Sequence, residues 1–342
     1  MRIYLVGGAV RDKLLGKKPK DKDFVVIGAD ENSFLKKFPK AKKVGKKIPV
    51  YIYKGKEYTL SPFKTIEEDL WDRDLTINAI AMDEDGNIYS LPTTLEDIEK
   101  KILRPVKEEN FFKDPLRIYR VARFLSEMPE YSVHQDLLNI IKRVGQDRGL
   151  LKNISPERIC NELIKALEGK KPGNFLKLLS ETSSFTYWFE EFERLKNSNN
   201  SLNHVIEVMN KTSGSPCSVW MGMCHLLTLD EFKKFSKRLK LPNRLKDAGI
   251  ITIIWHKKAK DYPNMKPIEK VELLELLDRK RIFKEFFFFL LADSSRDFYP
   301  QAQKELDKIK EVHLPKEYWN KGRLSGEILK SLKAKRLEEG ER

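Results

Sequence analysis

A strand, a glycine pair, a helix and a second strand follow one another within the first 27 residues, and this succession constrains the fold most. The apolar run Arg2–Val6 predicts a strand that ends at Gly7 and Gly8. Behind the glycines, apolar residues at helical spacing predict a short helix that stops at Gly16. A second strand is predicted over Asp23–Ile27. Elements this close together indicate a domain that mixes sheet and helix.

Strands give way to helices further along the chain. Residues 47–53 and 56–60 predict a hairpin, whereas beyond Thr94 the patterns are helical with few β-branched runs. The predicted fold class is α+β, with a mixed sheet and helices at the N-terminus and helices alone afterwards. The predicted domains are residues 1–104, 105–195 and 196–342.

The charge balance indicates the class of partner. The 342 residues include 66 Lys and Arg against 51 Asp and Glu, which gives a net charge of +15 spread along the chain. This excess favours a polyanion, either nucleic acid or an acidic membrane surface. Cys160, Cys217 and Cys224 form no CxxC pair, so neither a disulfide framework nor a cysteine zinc site is predicted. No run suits a signal peptide or a membrane span, and we expect a reducing, cytosolic compartment.

The glycine turn has the chemistry of a phosphate site. Gly7 and Gly8 let the backbone approach a phosphate, and the free N–H groups at a helix start favour an anion. Arg11, in the first helical turn, adds a charged donor. The pair lacks the GxGxxG spacing of a Rossmann dinucleotide site. On these residues alone, a tight turn without a ligand stays an equal alternative.

Two aspartates precede the second strand. Residues two apart in a strand point to the same side, so Asp21 and Asp23 are expected to lie on one face about 6–7 Å apart. Such a pair can bracket Mg²⁺ ions that neutralise a triphosphate and activate an attacking hydroxyl. Glu57, on the predicted hairpin, is a candidate third carboxylate. The alternative is a polar strand entrance without metal.

Four ordered motifs carry a family resemblance. They are GGAVRDKLLGKKPKDKDFVV at the N-terminus, DRDLTINAIAMDEDGNIYSL from Asp72, KDPLRIYRVARF from Lys113 and SPERICNELIKAL from Ser155. Together they resemble the class II tRNA nucleotidyltransferases, which are the CCA-adding enzymes and their poly(A) polymerase relatives. The resemblance implies a catalytic head over residues 1–104, a neck with a nucleotide-selecting helix over 105–195, and a tRNA-binding body and tail over 196–342.

The resemblance also assigns roles to individual residues. Asp21 and Asp23 match the aspartates that hold the catalytic Mg²⁺ ions. Asp114 and Arg117 match an amino-acid template that pairs with the Watson–Crick edge of CTP or ATP, chemistry that suits a carboxylate and a guanidinium. The other implied nucleotide contacts are Gly7, Gly8, Arg11, Arg73, Asp74, Asn78, Arg120 and Arg123.

Three features depart from the family pattern. Asp72 stands where the family has the first Arg of its RRD box, and Lys113 stands where it usually has Glu. The segment 58–72 is only 15 residues long and contains no arginine. Because the family links a longer basic loop here to the switch from C to A addition, the short segment favours a CC-adding specialist as the alternative.

Two histidines in the third domain resemble the remnant of a metal-dependent phosphohydrolase marked by an H…HD pattern. His204 and His225 match its histidines, but Leu226 stands where a metal-binding Asp is required. We expect ordinary helical-domain residues here and no hydrolase activity.

The resulting prediction is a template-independent enzyme that adds CMP and AMP from CTP and ATP to the 3′ end of tRNA and releases pyrophosphate. Basic helices over 233–246 and 330–342 are expected to hold the tRNA backbone. The alternatives are CC-only addition, A-only addition, poly(A) synthesis, or an RNA-binding protein that has lost catalysis. No membrane is expected as a partner, and the sequence does not identify a protein partner.

Overall fold

The computed structural model describes residues 1–19, 22–44, 50–198 and 200–339. Asp21 and the first residues of the predicted hairpin, 47–49, lie outside the described residues. The chain divides into two compact units. The N-terminal unit comprises Met1–Val121 with Glu130–Leu151, and the helical unit comprises Ala122–Pro129 with Lys152–Arg342.

A mixed sheet forms the centre of the N-terminal unit. Its strands are β1 (Arg2–Val6), β2 (Asp23–Ile27), β3 (Lys42–Val44), β4 (Val50–Tyr53), β5 (Lys56–Leu60), β6 (Ile80–Met82) and β7 (Ile88–Ser90). Their order across the sheet is β3-β4-β5-β2-β1-β6-β7. β2 and β5 run parallel, and the other neighbours are antiparallel. The predicted strands and hairpin are therefore present, with β2 near the middle of the sheet.

Strand β2 is apolar because both of its faces are covered. Val25 and Ile27 pack into a cluster with Ile66 and Leu70 of helix α3 (Ile66–Trp71). The intervening Val26 packs on the opposite face, in a cluster of aromatic side chains. A strand buried on both sides needs a continuous apolar run rather than alternation. The polar start of β2, Asp23, stays exposed.

Short helices surround this sheet. The helices of the N-terminal unit besides α3 are α1 (Gly8–Leu14), α2 (Glu31–Lys37), α4 (Thr94–Glu99), α5 (Glu109–Lys113) and α7 (Gln135–Gln146). A 3₁₀ turn covers Thr76–Asn78, and a small parallel pair joins β8 (Ile102–Leu103) to β9 (Ser132–Val133). Two helices contain residues of both units, α6 (Arg117–Glu127) and α8 (Arg148–Lys152).

The helical unit confirms the predicted change of character along the chain. Its helices are α9 (Pro156–Leu167), α10 (Asn174–Glu181), α11 (Glu191–Lys196), α12 (Ser201–Lys211), α13 (Pro216–Cys224), α14 (Leu229–Leu239), α15 (Asn243–Ala259), α16 (Pro267–Lys280), α17 (Phe283–Ser294), α18 (Tyr299–Lys310) and α19 (Arg323–Glu338). The longest apolar run of the sequence, residues 286–292, lies in α17 and is largely buried. The three cysteines are buried and free. Across the described ranges, no helix has the length and apolar character needed to cross a membrane.

Candidate active site

The glycine turn between β1 and α1 brings backbone and arginine side chains close together. Gly7 has a φ of +66° and donates its N–H to the Ile80 carbonyl at 2.8 Å. A Cβ on Gly7 would lie 3.2 Å from Nη1 of Arg73, and one on Gly8 would lie 3.3 Å from Nη2 of Arg11. Glycine is required at the first position by its backbone conformation and favoured at both by the guanidinium groups.

Arg11 and Arg73 meet at Asn78. Arg11 is buried and donates from Nη1 to Oδ1 of Asn78 at 3.0 Å, and from Nη2 to Oδ1 of Asp12 at 3.0 Å. Arg73 donates from Nη1 to the Asn78 carbonyl at 3.4 Å and pairs with Asp69 at 3.0 Å. The structure thus brings two predicted nucleotide contacts together beside the glycine turn. Asp69 was missed by the sequence analysis, although its spacing of four from Arg73 was a signal.

Asp74 contacts the same site through Asn78. Its carboxylate accepts hydrogen bonds from the Leu75 N–H at 2.9 Å, from Nδ2 of Asn78 at 3.2 Å and from Nε of Arg120 at 2.7 Å. Burial alone would raise the pKa of Asp74, but the charges of Arg120 and Arg117 and these hydrogen bonds outweigh burial and hold that pKa well below its ordinary value. Asp74 is therefore an ionised group that orients Asn78 and Arg120. Its contact with a ribose stays a prediction.

Arg117 is held by the backbone of residue 72. Its Nη2 donates to the Asp72 carbonyl at 2.6 Å, and the Asp72 carboxylate lies 3.8 Å away. The other terminal nitrogen, Nη1, is buried and has no hydrogen-bond partner among the described residues. Burial lowers the pKa of Arg117 although nearby carboxylates oppose the shift. One guanidinium donor is thus fixed to the protein, and a second faces no acceptor of the described chain.

Asp114 lies at a junction between two helices. The residue ends α5, and α6 begins at Arg117, whose N–H bonds to the Asp114 carbonyl at 3.1 Å. Pro115 therefore lies in the connecting turn rather than inside the helix. Because only Pro115 and Leu116 separate them, Asp114 and Arg117 belong to one compact segment.

The departures at positions 72 and 113 contact each other. Nζ of Lys113 donates to Oδ1 of Asp72 at 2.6 Å, with Lys113 largely exposed and Asp72 half-buried. The family pattern has a positive residue at position 72 and usually a negative one at position 113. This chain has the reverse, so the two charges are still opposite. Asp72 therefore links Lys113 to Arg117, the residue implied to read the base.

The carboxylates at the end of the sheet occupy neighbouring strands. Asp23 opens β2, and Glu57 is its register partner on the parallel strand β5. Register partners on parallel strands project to the same face, so Glu57 lies beside Asp23. Both residues are exposed. Carboxylate oxygens are the ligands that a hard cation such as Mg²⁺ takes, so the donor set fits the predicted metal.

Arg123 has protein partners in the helical unit. It donates from Nε to Glu162 at 2.6 Å and from Nη1 to Glu127 at 2.7 Å, and its side chain is buried. Glu162 belongs to the fourth sequence motif, so this pair links α6 to α9. A nucleotide contact of Arg123 stays a prediction.

Comparisons with known proteins identify the family of this chain. A family profile described as the Poly A polymerase head domain matches residues 3–61 and 46–104, and one described as a probable RNA and SrmB-binding site of polymerase A matches residues 131–196. The CCA-adding enzyme of Coxiella burnetii is 32% identical over 92% of this chain and 88% of its own length. The multifunctional CCA protein of Aromatoleum aromaticum is 31% identical over 87% and 85%.

A solved structure extends the comparison to the fold. The Bacillus stearothermophilus CCA-adding enzyme in complex with CTP has a TM-score of 0.71 at 28% identity, over 97% of this chain and 87% of its own. The mixed sheet with its glycine turn and helical extension defines a nucleotidyltransferase. The chain belongs to the CCA-adding enzymes of the tRNA nucleotidyltransferase and poly(A) polymerase family, which confirms the resemblance.

Proposed function

We propose that this enzyme adds CMP and AMP from CTP and ATP to the 3′ end of tRNA and thereby builds or repairs the CCA terminus. The observation that supports it most is the glycine turn flanked by Arg11 and Arg73 beside the strand that carries Asp23. The names of the aligned relatives support CCA addition rather than CC-only, A-only or poly(A) synthesis. The short segment 58–72 does not outweigh them.

The reaction is a phosphoryl transfer for which the protein supplies position and charge. The tRNA 3′-oxygen bonds to the α-phosphorus, the bond from that phosphorus to the bridging oxygen breaks, and pyrophosphate leaves with the electron pair. Asp21, Asp23 and Glu57 are the residues we propose to hold the divalent metal, with Mg²⁺ as the ion. When bound, such an ion neutralises the triphosphate and lowers the pKa of the attacking hydroxyl.

Arg11 and Arg73 are the proposed triphosphate contacts. Each guanidinium is already oriented by a carboxylate, Asp12 or Asp69, and by Asn78. Charged donors fixed before the ligand arrives need little reorganisation during the reaction. Gly7 and Gly8 leave room for the phosphate oxygens because neither carries a side chain.

Arg117 and Asp114 are the proposed base-reading pair. The buried Nη1 of Arg117 supports this role, because an unpaired buried donor is costly unless a ligand accepts its hydrogen bond. Asp72 holds Nη2 through its carbonyl, and Lys113 holds the Asp72 carboxylate. We therefore propose that the Asp72–Lys113 pair sets the orientation of Arg117.

The helical unit is the proposed tRNA holder. Four lysines, Lys233, Lys237, Lys240 and Lys246, line one open groove formed by α14 and α15. A cluster of ammonium groups suits a phosphate backbone. The aromatic residue Tyr262 is buried and bonded to Glu305, so we leave it out of the tRNA surface. We place the enzyme in the cytoplasm, where its substrates occur.

Nucleotide incorporation at single-nucleotide resolution tests the proposal. The purified enzyme with Mg²⁺ is given tRNA transcripts that end at the discriminator base, at C and at CC, with CTP and ATP separately and together. Three additions to the first transcript are expected. A stop after two would establish the CC-adding specialist, adenosine added only after CC would establish an A-adding enzyme, and no addition would establish an RNA-binding protein without catalysis.

A further inference from the structure

The helical unit contains a cluster of side chains of the types that bind metals, and none of them is among the residues assigned above. His204 of α12, His225 at the end of α13 and Asp293 of α17 place one ligand atom each within 4.8 Å of one another. Nε2 of His204 lies 2.9 Å from Oδ1 of Asp293, and Nε2 of His225 lies 3.7 Å from the same oxygen. Two imidazoles and a carboxylate suit a first-row transition metal such as Zn²⁺.

The inner nitrogen of His225 faces the cluster without a hydrogen bond. Nδ1 of His225 lies 2.7 Å from the Gly222 carbonyl, so that nitrogen carries the proton and Nε2 keeps its lone pair. A backbone carbonyl on the far nitrogen is also how metal-bound histidines are oriented. In the described part of the chain, neither Nε2 of His225 nor Oδ2 of Asp293 has a hydrogen-bond partner, and both side chains are fully buried.

A lysine provides the cation for this cluster. Nζ of Lys260, the residue that ends α15, lies 3.1 Å from Oδ1 of Asp293. A fully buried carboxylate needs an opposite charge close by. Lys260 brings its ammonium group to the same oxygen that both histidines approach. The ring centre of His256 lies 5.5 Å from that of His225. Nδ1 of His256 bonds to the Thr252 carbonyl, so this contact adds no carboxylate to the cluster.

We propose that the ammonium group of Lys260 occupies the cation position of the His204–His225–Asp293 cluster, and that removing this side chain turns the cluster into a site for one Zn²⁺-type ion. The protein therefore holds the helices of this region together with its own charge and needs no metal there. The sequence analysis expected ordinary helical residues at His204 and His225, and the structure adds Asp293 and Lys260 to them.

The surroundings of the two outer residues make the exchange feasible. The side chains of Lys260 and His204 are 39% and 38% exposed, so an ion can reach the cluster from solvent. Lys260 directly follows the last residue of α15, at the end of that helix. After truncation, His204, His225 and Asp293 supply three ligands, and water completes a tetrahedral site.

Metal titration of matched variants tests this proposal. The full-length enzyme, Lys260→Ala, Lys260→Gln and the control Lys257→Ala are titrated with Co²⁺, read by visible absorption, and with Zn²⁺, read by calorimetry. Lys257 lies on the same helix and is exposed. We expect one equivalent beyond that bound by the unaltered enzyme only in the two Lys260 variants, and loss of this extra equivalent when Asp293→Asn is added. Zn²⁺ should raise the melting temperature of these variants more than that of the unaltered enzyme or Lys257→Ala.

Two outcomes would overturn the proposal. If the unaltered enzyme binds an ion that Asp293→Asn removes, as tightly as Lys260→Ala does, Lys260 does not occupy the cation position. If neither Lys260 variant binds an equivalent beyond the unaltered enzyme while both add nucleotides at the unaltered rate, the three residues are not a ligand set. The transfer assay serves as the check of folding because Lys260 has no proposed role in catalysis.

Discussion

The buried carboxylate of Asp74 offers the sharpest test of how the active site is held together. Asp74→Asn keeps the shape of the side chain and removes its charge. An amide has one oxygen, so it can still accept from the Leu75 N–H and from Asn78, but its NH₂ group then faces Nε of Arg120. Two donors in contact repel, and a charge-assisted hydrogen bond worth about 1.5–3 kcal/mol is lost.

The exposure of Arg120 determines how much stability the Asp74→Asn substitution removes. Breaking a fully buried ion pair costs about 3–5 kcal/mol, but the Arg120 side chain is 35% exposed and can turn towards solvent. We therefore expect a loss of about 2–3 kcal/mol. At about 2–4 °C per kcal/mol, the melting temperature should fall by roughly 4–12 °C. Asp72→Asn is the matched control, because its more exposed pair with Lys113 is worth about 1 kcal/mol or less.

The pH dependence supplies an independent check of the same reasoning. The folded-state pKa of Asp74 is depressed, so its charge stabilises the protein fully above the unfolded pKa of about 3.9 and progressively less as the pH falls towards the folded value. The difference in melting temperature between the original enzyme and Asp74→Asn should shrink below about pH 4. Equal melting temperatures at pH 7, or a difference that persists unchanged in acid, would refute the role given to Asp74.

The remaining predictions concern catalysis, base selection and RNA binding. Asp23→Ala should abolish transfer while tRNA binding in a filter assay stays within about twofold, and loss of both together would contradict a metal role. Lys113→Asp should change the ratio of CMP to AMP added by up to about fivefold, because the pair that orients Arg117 is partly exposed, and the double exchange with Asp72→Lys should restore it. Lys237→Glu and Lys246→Glu should raise KM for tRNA and leave KM for CTP unchanged, with a smaller salt dependence of binding, whereas equal effects on both substrates would contradict a backbone contact.

Local patterns predicted the elements that carry the active site, because each is encoded by neighbouring residues. The turn at Gly7 follows from an apolar run that ends in glycines, and the exposed start of β2 follows from polar residues before a buried strand. The register between β2 and β5 does not follow from either strand alone. It depends on the parallel pairing of distant segments, and it is this pairing that places Glu57 beside Asp23.

Contacts between distant residues escaped the sequence for a related reason. Arg11 and Asn78 are 67 positions apart, and His204 and Asp293 are 89 apart, so no periodicity relates them. Because Leu226 stands where a metal-binding Asp is required, we expected ordinary helical residues at His204 and His225. The sequence did not indicate that Asp293 remains in the cluster or that Lys260 contacts it, because both arrive from other helices.

The departures at Asp72 and Lys113 show why single positions are a poor guide to a charged site. Taken separately, Asp72 removes a cation near the proposed triphosphate site, and Lys113 removes a carboxylate beside the proposed base-reading segment. In the fold they form one ion pair at 2.6 Å, and the same Asp72 accepts a hydrogen bond from Arg117 through its backbone. Since a backbone carbonyl is present whatever the side chain, the anchor for Arg117 survives the exchange. The charges at positions 72 and 113 then need only be opposite, and either position can carry the positive one.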